Sequence, residues 1–353
     1  MNQDLSLGLQ HQVRAAAASG TPLLIRGGNT KHFLGNPSSG TPLEVSGHRG
    51  ITSYEPVELV ISARAGTPLR ELEQALDAAG QMLPFEPPHF GVDATLGGTI
   101  ACGLSGPRRP YLGSARDYVL GVRMINGQGE LLRFGGEVMK NVAGYDVARL
   151  LTGAMGTLGV LLEISLKVLP RPEAEVTLVQ RCEAETALTR MNQLAATPLP
   201  LSASVYDGTH LYLRLSGSES AVRAARASIG GDTLNNAGTY WRWLREHQLP
   251  FFEQTAPLWR LSLPSNAPSL DLPGATLIEW GGAQRWLKST ASAEAIRAAT
   301  AEYGGHATLF RGDVTQTAAF HPLAPGLETL HRNLKHAFDP HAIFNRGRMY
   351  PEW

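Results

Sequence analysis

The stretch that decides the fold begins with Ala94-Thr95-Leu96-Gly97-Gly98-Thr99-Ile100-Ala101. It opens a region from Gly91 to Pro170 that holds far more than its share of the 38 glycines, with a second run at 140–160. Glycine is needed where φ is positive, or where the backbone must approach another group with no Cβ between them. So many glycines in one region indicate main-chain N–H groups arranged around a large ligand. A loop-rich stretch of tight turns is the alternative.

A second glycine signal follows the short apolar strand Leu23–Ile25. The sequence Arg26-Gly27-Gly28-Asn29-Thr30-Lys31 offers consecutive backbone amides, an amide side chain, a hydroxyl and a cation. Such a nest suits the two negative charges of a pyrophosphate. Neither a Walker A loop nor a G-x-G-x-x-G motif is present in the sequence. An ordinary β-turn accounts for Gly-Gly-Asn equally well.

Composition limits the class of protein. The 353 residues suggest two domains, at roughly 100–200 residues each. Lys+Arg and Asp+Glu are both 31, so no net field attracts nucleic acid or an anionic membrane. The two cysteines are too few for a disulfide framework. We expect a cytoplasmic protein without a signal peptide and with no direct membrane insertion, although peripheral attachment to the inner membrane through partners stays open.

The first 170 residues are predicted to form one domain. Periodicity predicts helices over 4–19, 67–80 and 145–151, strands over 23–25, 59–63 and 160–169, and a hairpin from 119–125 and 131–134. In the strand over 160–169, apolar residues alternate with Glu163, Ser165 and Lys167, which predicts a half-buried strand. Pro170-Arg171-Pro172 then breaks the pattern and marks a domain boundary.

The second part, 171–326, has a different pattern. Predicted strands over 176–179, 211–215, 258–263, 276–280 and 284–287 alternate with helices over 184–195, 221–228 and 293–303. This order favours an α+β fold with an antiparallel sheet and helices on one face. Most tryptophans lie between Trp241 and Trp286, as core, ligand-cavity wall or subunit interface. The tail, 327–353, is predicted as a helix over 327–337 and a shaped loop that returns to the first domain.

Hydrolytic and metal chemistry find no support in the sequence. The histidines lack metal-ligand spacing, the cysteines lack zinc spacing, and there is no Gly-x-Ser-x-Gly elbow. We therefore expect no metal, assign no catalytic residue, and predict a large bound cofactor that supplies the chemistry itself.

Several motifs carry a resemblance to a known family. The chain resembles the FAD domain of the vanillyl-alcohol-oxidase and p-cresol-methylhydroxylase (PCMH) superfamily in Arg26-Gly27-Gly28-Asn29-Thr30, Ala94-Thr95-Leu96-Gly97-Gly98, Arg116-Asp117-Tyr118-Val119-Leu120-Gly121, Lys140-Asn141-Val142-Ala143-Gly144-Tyr145-Asp146 and Phe344-Asn345-Arg346-Gly347. With Met82-Leu83-Pro84, Gly106-Pro107-Arg108-Arg109-Pro110 and 133–140, nearly the whole chain resembles the FAD-binding E subunits of bacterial glycolate oxidases. The match is highly specific up to residue 170 and looser beyond it.

The resemblance implies a PCMH-type FAD-binding domain of two α/β subdomains, followed by an antiparallel-sheet cap domain. It implies an FAD-binding subunit of a glycolate oxidase or dehydrogenase complex that oxidises glycolate, a 2-hydroxy acid, to glyoxylate and passes electrons to partner subunits. The implied partners are a homologous FAD subunit and an iron–sulfur subunit. Two alternatives remain: a non-catalytic scaffold subunit, and a self-sufficient FAD-dependent hydroxy-acid oxidase.

The resemblance also implies which residues bind the cofactor. They are Arg26, Gly27, Gly28, Asn29, Thr30, Lys31, Pro87, Thr95, Gly97, Gly98, Ala101, Gly103, Gly156, Val160, Ile164 and Asn345. The 27–31 loop would bind the pyrophosphate, 95–101 the pyrophosphate and isoalloxazine, 156–164 the adenosine side, and Asn345 would approach the flavin from the tail. Members that link flavin through histidine carry it where Asn29 stands, so the resemblance implies non-covalent FAD. Cys102, beside this path, is expected to be a packing residue.

The second domain departs from the family pattern. Catalytic D-2-hydroxy-acid dehydrogenases of this superfamily carry a His-x-x-His-type metal site followed by Gly-Asp-Gly-Asn. Gly304-Gly305-His306-Ala307 and Gly312-Asp313-Val314 match that pattern only in part. The resemblance therefore does not imply that this chain oxidises the substrate by itself. Arg260 and Arg285 are candidate carboxylate ligands, with surface or core-edge arginines as the alternative.

Overall fold

A computed structural model describes residues 3–136, 146–253, 255–351 and 353. The chain divides into two compact units. The first comprises Met1–Ser105, Ser114–Pro170 and Pro322–Trp353. The second comprises Gly106–Gly113 and Arg171–His321. The short Gly106–Gly113 stretch thus belongs with the second unit, although it lies within the first 170 residues.

Up to residue 170 the elements alternate between short helices and strands. They are α1 (Ser6–Ser19), β1 (Leu23–Arg26), β2 (Thr41–Glu44), β3 (Ile51–Glu55), β4 (Val60–Arg64), α2 (Leu69–Ala78), β5 (Gln81–Met82), α3 (Leu96–Cys102), α4 (Arg109–Leu112), α5 (Ala115–Tyr118), β6 (Val119–Ile125), β7 (Leu131–Gly135), α6 (Val147–Leu150), β8 (Val160–Lys167) and β9 (Leu169–Pro170). The predicted strands and hairpin are confirmed. Tyr145, at the start of one predicted helix, lies outside the described residues.

The first unit contains two main sheets. β1 and β2 form a parallel pair, and β3-β4-β8-β6-β7 form a five-stranded antiparallel sheet. β8 is more buried than the predicted half-buried strand. Ser165 is buried as well, and its hydroxyl and that of Ser62 hydrogen-bond to each other at 2.7 Å inside the sheet. This pairing removes the cost of burying Ser165.

After residue 170 the chain builds mainly one sheet. The elements are β10 (Ala174–Arg181), α7 (Ala184–Ala195), β11 (Leu201–Tyr206), β12 (His210–Gly217), α8 (Glu219–Ile229), β13 (Asp232–Thr233), α9 (Ala237–Arg245), β14 (Leu258–Ser262), β15 (Ala275–Glu279), β16 (Gln284–Lys288), α10 (Ala293–Ala301), β17 (His306–Arg311) and α11 (Pro325–Phe338), with short 3-10 helices at Pro250–Glu253 and Trp280–Gly282. β11, β13 and β17 have no counterpart among the predicted strands.

The second unit is organised by its eight-stranded sheet, in the order β13-β10-β12-β11-β15-β16-β14-β17. Every strand pair in it is antiparallel, which confirms the predicted α+β class. Helices α7, α8 and α10 share one face, where they pack on residues such as Leu213, Ile278 and Leu287. Neighbouring positions along a strand point to opposite faces. Arg260, Glu279 and the other residues of that parity therefore lie on the opposite face. Helix α9 packs on another part of this face, where Nε1 of Trp241 donates to Oγ1 of Thr177 at 2.8 Å, and the rings of His247 and Phe252 lie against Trp286. We call the part of this face around Arg260 the open face.

Among the described residues, no helix combines the length and apolar character needed to cross a bilayer.

Candidate functional site

A cavity of about 360 Å³ lies within the first unit. Three glycine-bearing segments and the carboxy-terminal tail converge on it. Its walls are formed by Leu24, Ile25, Arg26, Gly27, Gly28, Asn29, Thr30, Lys31, His32, Pro37, Ser38, Val45, Ala65, Thr95, Gly97, Gly98, Ala101, Cys102, Leu151, Ala154, Met155, Gly156, Leu158, Gly159, Leu161, Asn345 and Arg348. The wall is mostly apolar, with glycine backbone and the three cations Arg26, Lys31 and Arg348, which is the composition of a site for a large ligand with an anionic part.

The loop after β1 packs directly on the segment that leads into α3. A Cβ added to Gly28 would stand 1.4 Å from the carbonyl oxygen of Asp93, and one added to Gly27 would stand 2.5 Å from Oγ1 of Thr95. Asn29 has a φ of 55°, a left-handed conformation that asparagine tolerates better than most residues. Glycine at 27 and 28 is therefore required by protein packing itself.

The first turn of α3 separates two kinds of glycine. Thr95 caps the helix, since its Oγ1 accepts a hydrogen bond from the N–H of Gly98 at 3.2 Å. A Cβ on Gly97 would lie 2.7 Å from Cβ of Ala65, so Gly97 is fixed by protein contacts. For Gly98, Oγ1 of Thr95 at 3.2 Å is the sole described neighbour within 4 Å of such a Cβ. The space beside Gly98 belongs to the cavity.

Asn345 brings the tail to this cavity. Its Oδ1 accepts a hydrogen bond from the N–H of Ile25 at 2.8 Å, and its Nδ2 donates to the carbonyl of Met155 at 2.7 Å. Gly156 has a φ of 72°, and a Cβ there would stand 2.6 Å from Nδ2 of Asn345. The amide of Asn345 thus joins β1 to the third glycine segment, so its polar atoms serve the protein while the residue lines the cavity.

A buried ion pair holds the tail in place. Nζ of Lys335 lies 2.7 Å from Oδ2 of Asp339, and it also donates to the carbonyls of Thr157 and Phe344 at 2.7 and 3.0 Å. The Asp339 carboxylate accepts from the N–H groups of Ile343 and Phe344 at 3.0 and 2.8 Å. Both side chains are at least 95% buried. Because every charge has a partner, this pair fixes the loop that carries Asn345.

Besides Arg26, which lies 4.0 Å from Glu44 in an exposed pair, two cations give the cavity its positive character. Lys31 is 7% exposed, and its Nζ donates to the carbonyl of His89 at 3.2 Å. Arg348 donates from Nη2 to the carbonyl of His32 at 2.8 Å and from Nη1 to that of Asn36 at 3.3 Å. Burial lowers the pKa of Arg348, and the nearby Cys102 raises it again. The same surroundings act on the Cys102 thiol, whose pKa is raised by burial and lowered by Lys31 and Arg348.

The structure gathers most of the predicted cofactor residues around this cavity. Those on its wall are Arg26, Gly27, Gly28, Asn29, Thr30, Lys31, Thr95, Gly97, Gly98, Ala101, Gly156 and Asn345. Pro87, Gly103, Val160 and Ile164 are not among the wall residues. Gly103 instead ends α3 with a φ of 62° against Gly153, and the two β8 residues are fully buried in the core. The predicted segment 140–145 lies outside the described residues.

Sequence reasoning missed one charged wall residue, Arg348. Its only signal was a basic residue three positions after Asn345, in a tail predicted to return to a distant site. It missed the apolar side of the wall as well, which includes Leu151, Leu158 and Leu161. A cavity with a backbone cradle, three cations and an apolar side fits a cofactor that joins a diphosphate to a planar ring system.

The second unit contains Arg260 and Arg285, the two candidate carboxylate ligands, and their hydrogen-bond partners differ. Arg285 is 2% exposed, and its guanidinium donates to the carbonyls of Gly282, Pro268 and Ala267. It is therefore a structural arginine. Arg260 donates from Nε to Oε1 of Gln284 at 2.7 Å. Within the described residues, no group of three or more His, Cys, Asp or Glu side chains is placed to hold a metal ion.

Comparisons with known proteins agree with this site. The FAD binding domain family matches residues 8–135. The chain is 53% identical to glycolate oxidase subunit GlcE of Escherichia coli over 350 residues, which cover 99% of this chain and 98% of that protein. It is 30% identical to glycolate oxidase subunit GlcD of Bacillus subtilis over 53% of this chain and 40% of that protein. The predicted resemblance and FAD as the cofactor are thereby confirmed.

The fold has solved counterparts. Two crystal structures of alkyldihydroxyacetonephosphate synthase align with TM-scores of 0.66 at 16% sequence identity, covering 96% of this chain and 74% and 75% of theirs. At that identity the alignment speaks to the fold alone. The alignment includes residues of both units, so the chain has a known fold.

Proposed function

The chain belongs to the GlcE family of glycolate oxidase subunits, and on that premise we propose that it is the FAD-binding subunit of a glycolate-oxidising complex. The complex oxidises glycolate to glyoxylate and passes the electrons onward through its subunits. The partners are a homologous flavin subunit and an iron–sulfur subunit. The proposal places the chain in the cytoplasm, with any attachment to the inner membrane made through those partners.

The observation that carries the proposal is the convergence of the glycine segments on one cavity. When bound, FAD would accept the two electrons that are released when the carbon–hydrogen bond of the 2-hydroxy acid is oxidised. The amides of the 27–31 loop, with Lys31 and Arg348 behind them, would neutralise its diphosphate. The apolar side of the wall excludes water from the ring system. The space beside Gly98 is where the cofactor would approach the backbone.

The first test concerns how the flavin is held. Asn29 offers no nucleophile for attachment to flavin, so we expect non-covalent FAD. Acid precipitation of the purified chain should leave a colourless pellet and a yellow supernatant. Flavin that stays with the denatured protein would contradict this. A chain that never binds FAD, even after incubation with an excess of it, would favour the scaffold alternative.

The second test concerns catalysis. Removing hydride from a 2-hydroxy acid needs a base for the hydroxyl proton and a cation for the carboxylate. No described residue near the cavity has been assigned as that base, so we expect dye-linked glycolate oxidation only after the partner subunits are added. The control is the partner subunits without this chain. Turnover by the chain alone at the rate of the complex would favour the self-sufficient oxidase.

A further inference from the structure

The open face of the second unit carries an arginine that is held in place and yet has hydrogen-bonding capacity to spare. Arg260 lies on β14, directly opposite Trp286 of β16 and Thr308 of β17. Its Nε donates to Gln284, whose Nε2 in turn donates to Oε1 of Glu279 at 3.2 Å. Within the described part of the chain, neither Nη1 nor Nη2 of Arg260 has a hydrogen-bond acceptor.

A second arginine–tryptophan pair in the same unit differs in the hydrogen bonds of its Nη atoms. Arg297 lies over the ring of Trp259 at 5.6 Å, on the face covered by α10. Its two Nη atoms donate to Thr317, Ala318 and Phe320. Arg260 also lies over an indole, that of Trp280, at 5.3 Å. The two arginines therefore share one kind of stacking and differ in the outer edge of the guanidinium, which is bonded in Arg297 and available in Arg260.

The surroundings of Arg260 favour an anion. Its pKa is lowered to about 10, first by burial and then by Arg109, against an opposing effect of Glu279. Arg109 lies over the same Trp280 ring at 4.4 Å. His306, two positions along the open face on β17, has a pKa that is lowered by burial, then by Arg260 and His321, so it adds no charge near neutrality. A cation that is desolvated beside a second cation is stabilised by an anion bound at its outer edge.

We propose that Arg260 binds the carboxylate of a small 2-hydroxy or 2-oxo acid through Nη1 and Nη2, on the open face of the second unit. The two parallel N–H groups match the two carboxylate oxygens. Gln284 holds Nε, so the fork is oriented before the ligand arrives and little entropy is lost on binding. Trp280 forms one wall, and Thr308 offers a hydroxyl from the neighbouring strand. The inference rests on the proposed function only for the choice of acid.

The test is isothermal titration of the full chain with glycolate, with and without added FAD, at low chloride. We expect saturable binding with one site per chain. Arg260→Gln should weaken it at least about tenfold, which corresponds to about 1.4 kcal/mol. Arg260→Lys should keep part of the affinity, because an ammonium holds the charge without the fork. Arg226→Gln, which removes an exposed positive charge on α8, is the matched control and should bind as the wild type does.

Each alternative result has one meaning. Glycolate binding that is unchanged in Arg260→Gln, or no saturable binding by the wild type, overturns the inference. Phosphate or chloride that competes as well as acetate and glyoxylate do would overturn the carboxylate assignment. Circular dichroism of both Arg260 variants establishes that they fold; if the glutamine variant does not, the lysine variant must still show weaker binding. Flavin content is measured separately, so binding through Arg260 by a chain that takes up no FAD would defeat the proposed function and leave this site standing.

Discussion

The glycine cavity and the open face are both proposed anion sites, but they are built in opposite ways. The part of the cavity around Gly27 and Gly28 is made of backbone, because neighbouring protein atoms leave no room for a Cβ at either position. The open face is made of long side chains on a regular sheet, with Arg260 oriented by Gln284. In the first unit, ligand site and fold are therefore the same set of contacts. In the second, the site is added to a sheet that does not depend on it.

This difference also decides how a substitution acts in each region. Replacing Gly27 or Gly28 alters the packing of the first unit whether or not a ligand is bound. Changing Arg260 removes hydrogen-bond donors from a strand whose backbone pairing stays intact. The largest expected effects therefore fall in the cavity, and a contrast between two cavity glycines can break or support the comparison.

Gly28→Ala should have the largest effect. Its Cβ would stand 1.4 Å from the carbonyl oxygen of Asp93, so the loop and the segment leading to α3 cannot both keep their places. We expect a loss of stability above about 4 kcal/mol, in the class of exceptional single substitutions. Urea unfolding followed by circular dichroism measures it. Gly98→Ala is the control, because its Cβ meets only Oγ1 of Thr95 at 3.2 Å. Equal stability of the two variants would refute the distinction between packed and cavity-facing glycines.

Lys335→Met should have the next largest effect. It leaves the Asp339 carboxylate buried without its cation and removes the donor to the carbonyls of Thr157 and Phe344. Breaking such a pair costs about 3–5 kcal/mol. Arg332→Met in the same helix is matched: it breaks an exposed i,i+4 pair with Glu328, which is worth about 0.3–0.5 kcal/mol. A similar small loss in both variants would mean that the buried pair does not anchor the tail.

Gly98→Val should act on the ligand and leave the fold in place. The branched side chain would occupy the space where we propose that FAD approaches the backbone. Apart from its chain neighbours and the backbone of α3, the only described protein atom within 4 Å of its Cβ is Oγ1 of Thr95. We expect flavin affinity to fall by about tenfold or more, and the Tm of the apoprotein to fall by only a few degrees. Full flavin occupancy in this variant would show that the cofactor lies elsewhere in the cavity.

The sequence predicted the cavity well because its requirements are local. A backbone nest such as Gly27-Gly28-Asn29 and a helix N-cap such as Thr95 can each be predicted from a few neighbouring residues. Val160 and Ile164 fail as wall residues for an equally local reason. They point to the core side of β8, while Gly159 and Leu161, of the other parity, line the cavity. An error of one residue in a strand exchanges its two faces.

Other features depend on contacts that a linear pattern does not contain. β11 is buried along its whole length, yet Ser202 and Ser204 interrupt its apolar run; Ser202 is satisfied by Arg214, whose Nε donates to it at 3.1 Å. Arg348 reaches the cavity because the tail folds back over more than 300 positions to His32. Arg260 looks like any strand arginine in the sequence, and only its neighbours make it different.

The smallest predicted effect concerns pH and compares the buried histidines of the two units. His48, in the first unit, is 1% exposed, and its Nδ1 accepts the N–H of Leu5 at 2.9 Å. Burial lowers its pKa, against a partial opposing effect of Asp4. His247, in the second unit, has a pKa lowered by burial and then by Arg311. Both histidines are therefore neutral in the folded protein near pH 7. In the unfolded chain, histidines bind protons as the pH falls through about 6.5.

Stability should therefore fall as the pH is lowered from 7 to 5, because the unfolded state takes up protons that the folded state does not, with a slope of at most about 1.4 kcal/mol per pH unit for each histidine. Asp4 does not interfere in this range, because hydrogen bonds from Ser6 lower its pKa to about 2. In His48→Asn, the new Oδ1 can accept the N–H of Leu5 but cannot titrate. Urea unfolding at pH 7, 6 and 5 should give the variant a shallower slope than the wild type, and the difference cancels His247 and every other group common to both. Parallel slopes would mean that His48 binds its proton in the folded protein as readily as in the unfolded chain, and that burial at this position carries no electrostatic cost.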